Sequence, residues 1–133
     1  MKIVITSTGS DFDSTFSPTF GRCPFFIFLE GEQADGMEAV RNPATEAHGG
    51  AGIQAAQFVV DRGVDAVVTG RVGPNAMDVL RAADIPIYIF QGDTPRQAFD
   101  AFKSGTLQEQ TEVQGRRGGR GAGRGGGRRR VGF

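Results

Sequence analysis

The stretch from Asp65 to Leu80, DAVVTGRVGPNAMDVL, constrains the fold more than any other part of the chain. Its opening run, Ala66-Val67-Val68-Thr69, has the β-branched composition of a buried strand. Gly70-Arg71-Val72-Gly73 reads as a turn, and Pro74 stands where proline suits a helix, at its first position. Ala76, Leu80 and Ala83 recur at i, i+4 and i+7, one apolar helical face. Strand, glycine turn and helix together bring backbone N–H groups and the positive end of a helix dipole to one point, a natural seat for an anion. The same turn also serves as a plain connection between strand and helix, and the residues alone leave both readings open.

The rest of the chain supplies the elements around it. Ile3-Val4-Ile5 is a strand that ends at Ser7-Thr8-Gly9-Ser10-Asp11. The loop from Ser7 to Pro24 is long for a compact domain, a length found more often in functional loops than in neutral ones. Phe25 to Leu29 is too uniformly apolar to keep one face in water. After a break at Glu30-Gly31-Glu32, Gly36 to Val40 returns as a shorter alternating strand, so the two read as a hairpin. Ile53, Ala56 and Val60 give a helical stripe, with Gly63 as a left-handed C-cap. Ile85 to Phe90 is a further strand. Thr94-Pro95-Arg96-Gln97 has the form of a capping box, followed by Ala98, Phe99 and Phe102 on a buried helical face that ends at Gly105. The order β-β-β-α-β-α-β-α predicts an α/β domain with a five-stranded mixed sheet. The simplest arrangement puts the first strand beside the pivotal one and the hairpin on the other edge. The Ser7 loop and the Gly70 turn then emerge together at a switch point, the usual crevice for ligands.

Charge divides the chain more sharply than its zero net charge suggests. Residues 1–114 hold eight basic residues against all 15 acidic ones, a net charge of −7. Residues 115–133 hold Arg116, Arg117, Arg120, Arg124, Arg128, Arg129 and Arg130 with no acid, a net charge of +7. Glycine and arginine make up most of that segment, which has nothing to bury and reads as a disordered tail after a linker over 108–114. Such a tail points to a polyanionic partner or to the acidic body of a neighbouring copy, that is, self-association. RNA is one candidate partner, since Arg-Gly tracts bind it through phosphate charge and guanidinium stacking. A single cysteine, Cys23, fits a reducing cytosol, and the first residues lack the apolar run of a signal peptide. No run approaches membrane-spanning length, so the chain reads as soluble and cytoplasmic, with no membrane partner.

Several chemistries are excluded. Gly50-Ala51-Gly52-Ile53-Gln54-Ala55 matches G-x-G-x-x-A, but no strand precedes it, as a dinucleotide site requires. A two-metal nuclease needs carboxylates converging from several strand ends. Asp11 and Asp13 could contribute, yet the pivotal strand ends in Thr69-Gly70. His48 is the only histidine, and a lone histidine in a glycine loop most often hydrogen-bonds locally. Cys23, before a proline at a strand entrance, is most often a small buried hydrophobe. Both could face the crevice together. One Cys and one His cannot enclose an iron–sulfur cluster, which takes about four protein ligands, so a bound cluster would be partly exposed, shared between chains or already assembled.

Phe20-Gly21-Arg22-Cys23-Pro24-Phe25-Phe26, Gly49-Gly50-Ala51-Gly52 before a helix, and Gly70-Arg71-Val72-Gly73-Pro74-Asn75-Ala76 resemble the dinitrogenase iron–molybdenum cofactor biosynthesis family. That family includes NifX-like and NafY-like carriers and the domain appended to NifB-type proteins. The resemblance spans residues 1–107, here a NifX-like cofactor-binding domain. It implies a ribonuclease H-like fold without ribonuclease activity and a non-enzymatic role in binding, carrying or storing metal–sulfur cofactors. Some relatives with similar cationic glycine-rich tails look like iron–sulfur storage proteins. The site it implies offers backbone N–H groups around Gly49, Gly50, Gly52, Gly70 and Gly73, with Phe20, Gly21, Arg22 and Arg71 beside them. Cys23 and His48 are the candidate metal ligands.

Overall fold

Strands that alternate fully apolar residues on both faces need a layer of helix or loop against each face. The computed structural model, which describes residues 2–30, 37–46 and 49–110, has that three-layer form. Its elements are β1 (Lys2–Ser7), β2 (Phe25–Glu30), β3 (Glu38–Arg41), a short 3-10 turn (Pro43–Glu46), α1 (Ala51–Asp61), β4 (Ala66–Thr69), α2 (Pro74–Ala82), β5 (Ile87–Ile89), α3 (Pro95–Ser104) and β6 (Gln108–Glu109). The expected hairpin link at Gly31-Glu32, His48, the linker beyond Gln110 and the Arg/Gly tail lie outside the described residues.

The sheet order is β3-β2-β1-β4-β5-β6, with β1 beside the pivotal β4 and the hairpin on the far edge. β1 runs parallel to β4 and β4 to β5, while β1–β2 and β2–β3 are antiparallel. The pleat sorts the core into two clusters. Val4, Phe26, Phe28, Val67 and Ile87 face α1 and α2, with Ala55, Ala56, Val59, Met77 and Leu80 packed on them. Ile3, Ile5, Ile27, Leu29 and Val68 face α3 and the long loop, where Phe99, Phe12 and Phe16 cover them. The Ser7 loop is therefore part of the second layer, fixed by its own phenylalanines.

Two expectations are corrected. The sheet has six strands, not five. β6 pairs antiparallel with β5 (Tyr88 opposite Glu109, Ile89 opposite Gln108), and the Gln110 N–H donates to the Ile87 carbonyl at 2.7 Å. Two exposed polar residues carry no apolar alternation, so backbone pairing alone makes this strand. The second correction concerns α1, whose buried face is Ala51, Ala55, Ala56 and Val59, while Ile53 is exposed. The short alanine side chains allow α1 to pack close against the sheet and α2, and the larger Ile53 is turned outward.

Candidate anion cavity at the switch point

Gly70 is a glycine because the Ser7 loop lies against it. A Cβ there would clash with the Pro18 carbonyl oxygen and stand 2.7 Å from the Pro18 Cα. Gly21 meets the start of α1 in the same way, since a Cβ on it would lie 3.0 Å from the Gly52 Cα. A Cβ on Gly52 would in turn approach the Ala76 Cβ at 3.5 Å. Loop, turn and both helix starts are thus drawn together by missing side chains.

They enclose a cavity of about 450 Å³ lined by Thr19, Phe20, Gly21, Arg22, Ala51, Gly52, Arg71 and Gly73. A neighbouring cavity of about 720 Å³ shares Thr19 and Arg71 and continues over Gly70 to Phe16, Phe90 and Gln110. No carboxylate is among the described lining residues of either cavity. Arg71 is exposed at the shared rim, and Arg22 is held by a hydrogen bond from Nη1 to the Thr45 carbonyl at 3.3 Å.

The helix caps sharpen this picture. α3, away from the cavity, is capped by Thr94, whose hydroxyl accepts from the Gln97 N–H at 3.2 Å. The return bond of a capping box falls one residue early, with Gln97 Oε1 accepting from the Asp93 N–H at 2.9 Å. α1 and α2, which open onto the cavity, begin at Gly50 and Gly73 with no side-chain cap and no acid in the first turn. Gly50 needs its glycine for a φ of +71°. Gly73 does not, because its backbone is extended and a Cβ would stand in open space. The gap at Gly73 leaves room for something approaching from the cavity.

The ends of β1 and β4 that lead to the crevice carry hydroxyls. Thr6 and Thr69, at the ends of β1 and β4, are fully buried, their hydroxyls 2.9 Å apart, and Thr6 Oγ1 also donates to the Ser17 carbonyl at 2.6 Å. Asp13 is spent elsewhere in a two-pronged pair with Arg96 at 2.8 and 3.0 Å, which holds its carboxyl below the usual range. Among the described residues no group of three or more His, Cys, Asp or Glu side chains is placed to hold a metal ion.

Of the residues expected at the site, Phe20, Gly21, Arg22, Gly52, Arg71 and Gly73 come together around one cavity, and Gly70 lines its neighbour. Gly49 and Gly50 are exposed on the approach to α1 and line neither. Cys23, expected to face the crevice, has no exposed surface. Its thiol donates to the Phe20 carbonyl at 3.3 Å, and burial pushes its pKa up to about 12 despite hydrogen bonds from the Ser7 backbone and Asn42. His48 lies outside the described residues.

Two side chains that frame the site carry no motif in the sequence. Asn42 is buried, its Nδ2 donating to the carbonyls of Gly21 at 3.0 Å and Cys23 at 2.9 Å, and its Oδ1 accepting from the Ala44 N–H at 2.9 Å. Gln110 grips the pivotal turn, its Oε1 accepting from the Val72 N–H at 3.2 Å and its Nε2 donating to the Val72 carbonyl at 3.1 Å. Only pairing across distant segments could have revealed either.

Comparison with known proteins gives consistent results. The model of the family described as dinitrogenase iron-molybdenum cofactor matches residues 1–105. The apo form of the orange protein from Desulfovibrio gigas superposes with a TM-score of 0.77 at 33% identity, covering 83% of this chain and 92% of that one. A Thermotoga protein assigned as NifB and to the DUF35 family gives 0.74 at 35% identity, covering 85% and 96%. An uncharacterized protein of Methanocaldococcus jannaschii is 27% identical over 99 residues, 73% of this chain and 84% of its own length. Among the described residues no helix is long and apolar enough to cross a membrane.

Proposed function

This chain belongs to the dinitrogenase iron–molybdenum cofactor family, and from that premise we propose that it is a non-enzymatic carrier or store of iron–sulfur clusters or their metal–sulfur precursors. In this reading the domain is a ribonuclease H-like frame whose strand ends carry hydroxyls in place of nuclease carboxylates. The observation that carries it is the pair of uncapped helix starts opening on one cavity between Arg22 and Arg71, with no carboxylate among the described residues of its lining. Metal–sulfide clusters are commonly anionic, and unpaired N–H groups at helix starts with guanidinium charge suit them.

The cavity residues would cradle the cargo, while Cys23 and His48 are the candidate protein ligands. Cys23 would first have to lose its proton and its contact with the Phe20 carbonyl, so ligation by it requires the Phe20–Cys23 segment to open. The cationic segment 115–133 would condense anionic iron-sulfide or draw copies together through their acidic bodies.

Iron and acid-labile sulfide are measured on anaerobically purified full-length protein, wild type and Arg71→Ala. The expected result is iron and sulfide together in the wild type and a several-fold lower load in the variant. Wild-type protein that carries nucleic acid but neither iron nor sulfide would overturn carriage in favour of an RNA-associated protein.

A further inference from the structure

We propose that Gln110 is the positioning residue of the anion cavity, the clamp through which its loading is coupled to the C-terminal edge of the sheet. The inference rests on the carrier reading for what fills the cavity, but the clamp itself rests on geometry.

β6 has two exposed residues, too few for its ladder to hold it firmly. What ties Gln110 to the site is its side chain. The Gln110 amide takes both backbone groups of Val72, across 38 residues of sequence. Val72 is fully buried by its side chain in the core between sheet, α1 and α2. The turn is therefore held from two sides, by packing within and by an amide without. Val72 lies between Arg71 and Gly73, the two residues of this turn that line the smaller cavity. Holding the peptide groups of Val72 sets the direction in which the Arg71 side chain leaves the turn and in which the first N–H groups of α2 point.

Gln110 reaches the site from the other end as well. Its own N–H bonds β5, it lines the larger cavity, and the sequence runs on from it to Arg116 and the basic segment. A ligand that stiffens the turn must then stiffen β6, and whatever steadies β6 must favour the ligand to the same degree, because coupling between two sites is reciprocal.

The test uses the full chain and hydrogen exchange, with ferrous iron plus sulfide as the probe. Gln110→Leu keeps the bulk and removes both bonds, and Gln110→Asn is one methylene too short to span them. Either variant should exchange the Val72 amide at least tenfold faster while core amides of β1 and β4 stay protected. Gln110→Glu supplies a charge-sensitive control. The ionised carboxylate accepts from the Val72 N–H but cannot donate to its carbonyl, whereas the protonated acid can do both. Relative to the intrinsic exchange rate at each pH, Val72 in Gln110→Glu should be better protected than in Gln110→Leu at neutral pH, where the N–H bond is kept. Its protection should rise further as the pH falls through about 4, the ordinary glutamate range, where the bond to the carbonyl is added. A merely space-filling side chain would show no such rise.

On loading, wild type should gain protection at residues 108–110, and Gln110→Leu should load several-fold less and gain none. Equal Val72 exchange in wild type and both neutral variants overturns the clamp. Equal loading with unchanged exchange at 108–110 overturns the coupling. If wild type takes up no iron or sulfide, the carrier reading and the proposed coupling fail, and the clamp is upheld or overturned by Val72 exchange alone.

Discussion

A thiol shielded from water behaves as a small hydrophobe, and Cys23 was legible as one from its place between Arg22 and Pro24 at a strand entrance. Its pKa, pushed from 9.0 to about 12 by burial, has a stability consequence of definite sign. The neutral thiol favours the fold fully below the unfolded value, and that contribution is lost as pH climbs toward the folded one. Urea midpoints measured from pH 8 to 11 should therefore fall more steeply above pH 9 in wild type than in Cys23→Ala, and parallel curves would refute the assignment. Asn42 was not legible. In the sequence it merely ends a strand before a proline, because its three partners come from Gly21, Cys23 and Ala44. Asn42→Asp removes the donor to two carbonyls, each costing about 1–3 kcal/mol if left unpaired. A loss of roughly 2–4 kcal/mol in denaturant unfolding is expected, with the Phe20–Cys23 segment exchanging first.

At the scale of elements, helix starts and strands with dense apolar runs were readable, since each announces itself within a few neighbouring residues. Thr94 and Pro74 stand where the sequence placed them, and β1, β2 and β4 follow their β-branched and aromatic runs. β6 was hidden because its pairing partners lie 19 and 21 residues earlier and its side chains are polar. The buried face of α1 differs from the one its apolar pattern predicts: Ile53, the most apolar residue of the stripe, is exposed, because close approach selects alanine. The contrast between capped and uncapped helices gives a paired prediction. Thr94→Ala should cost about 1 kcal/mol and leave cluster loading unchanged, the usual loss for an N-cap. Gly73→Ser should do the opposite. Serine is the better cap by a few tenths of a kcal/mol, yet its hydroxyl would occupy the first N–H groups of α2 and project into the cavity. Thermal midpoint and iron content measured on both variants decide it. A Gly73→Ser protein that loads as well as wild type would show that these N–H groups do not touch the cargo.

At the scale of the molecule, the cavity and the body around it have opposite electrostatic tendencies. Arg71 at the rim, with no carboxylate among the described lining residues, makes the cavity locally positive, but residues 1–114 carry a net charge of −7. An anionic cluster approaching the body alone is repelled at long range and attracted only within the cavity, and salt weakens long-range forces most. The seven arginines beyond residue 115 cancel that repulsion in the full chain. Truncation after Gln114 retains the three helices of the described residues, β6 and the Gln110 clamp, so the thermal midpoint should stay where it is. The cavity should still bind a small thiolate-ligated cluster of negative charge, while large iron-sulfide assemblies should be lost. The sign of the salt dependence is the sharper readout. Added salt should speed loading of the truncated protein by screening the repulsive body, and should slow loading of the full chain by screening the attractive tail. Stopped-flow absorbance at several ionic strengths measures both. If the two proteins respond to salt with the same sign, the basic segment does not guide the cluster to the cavity.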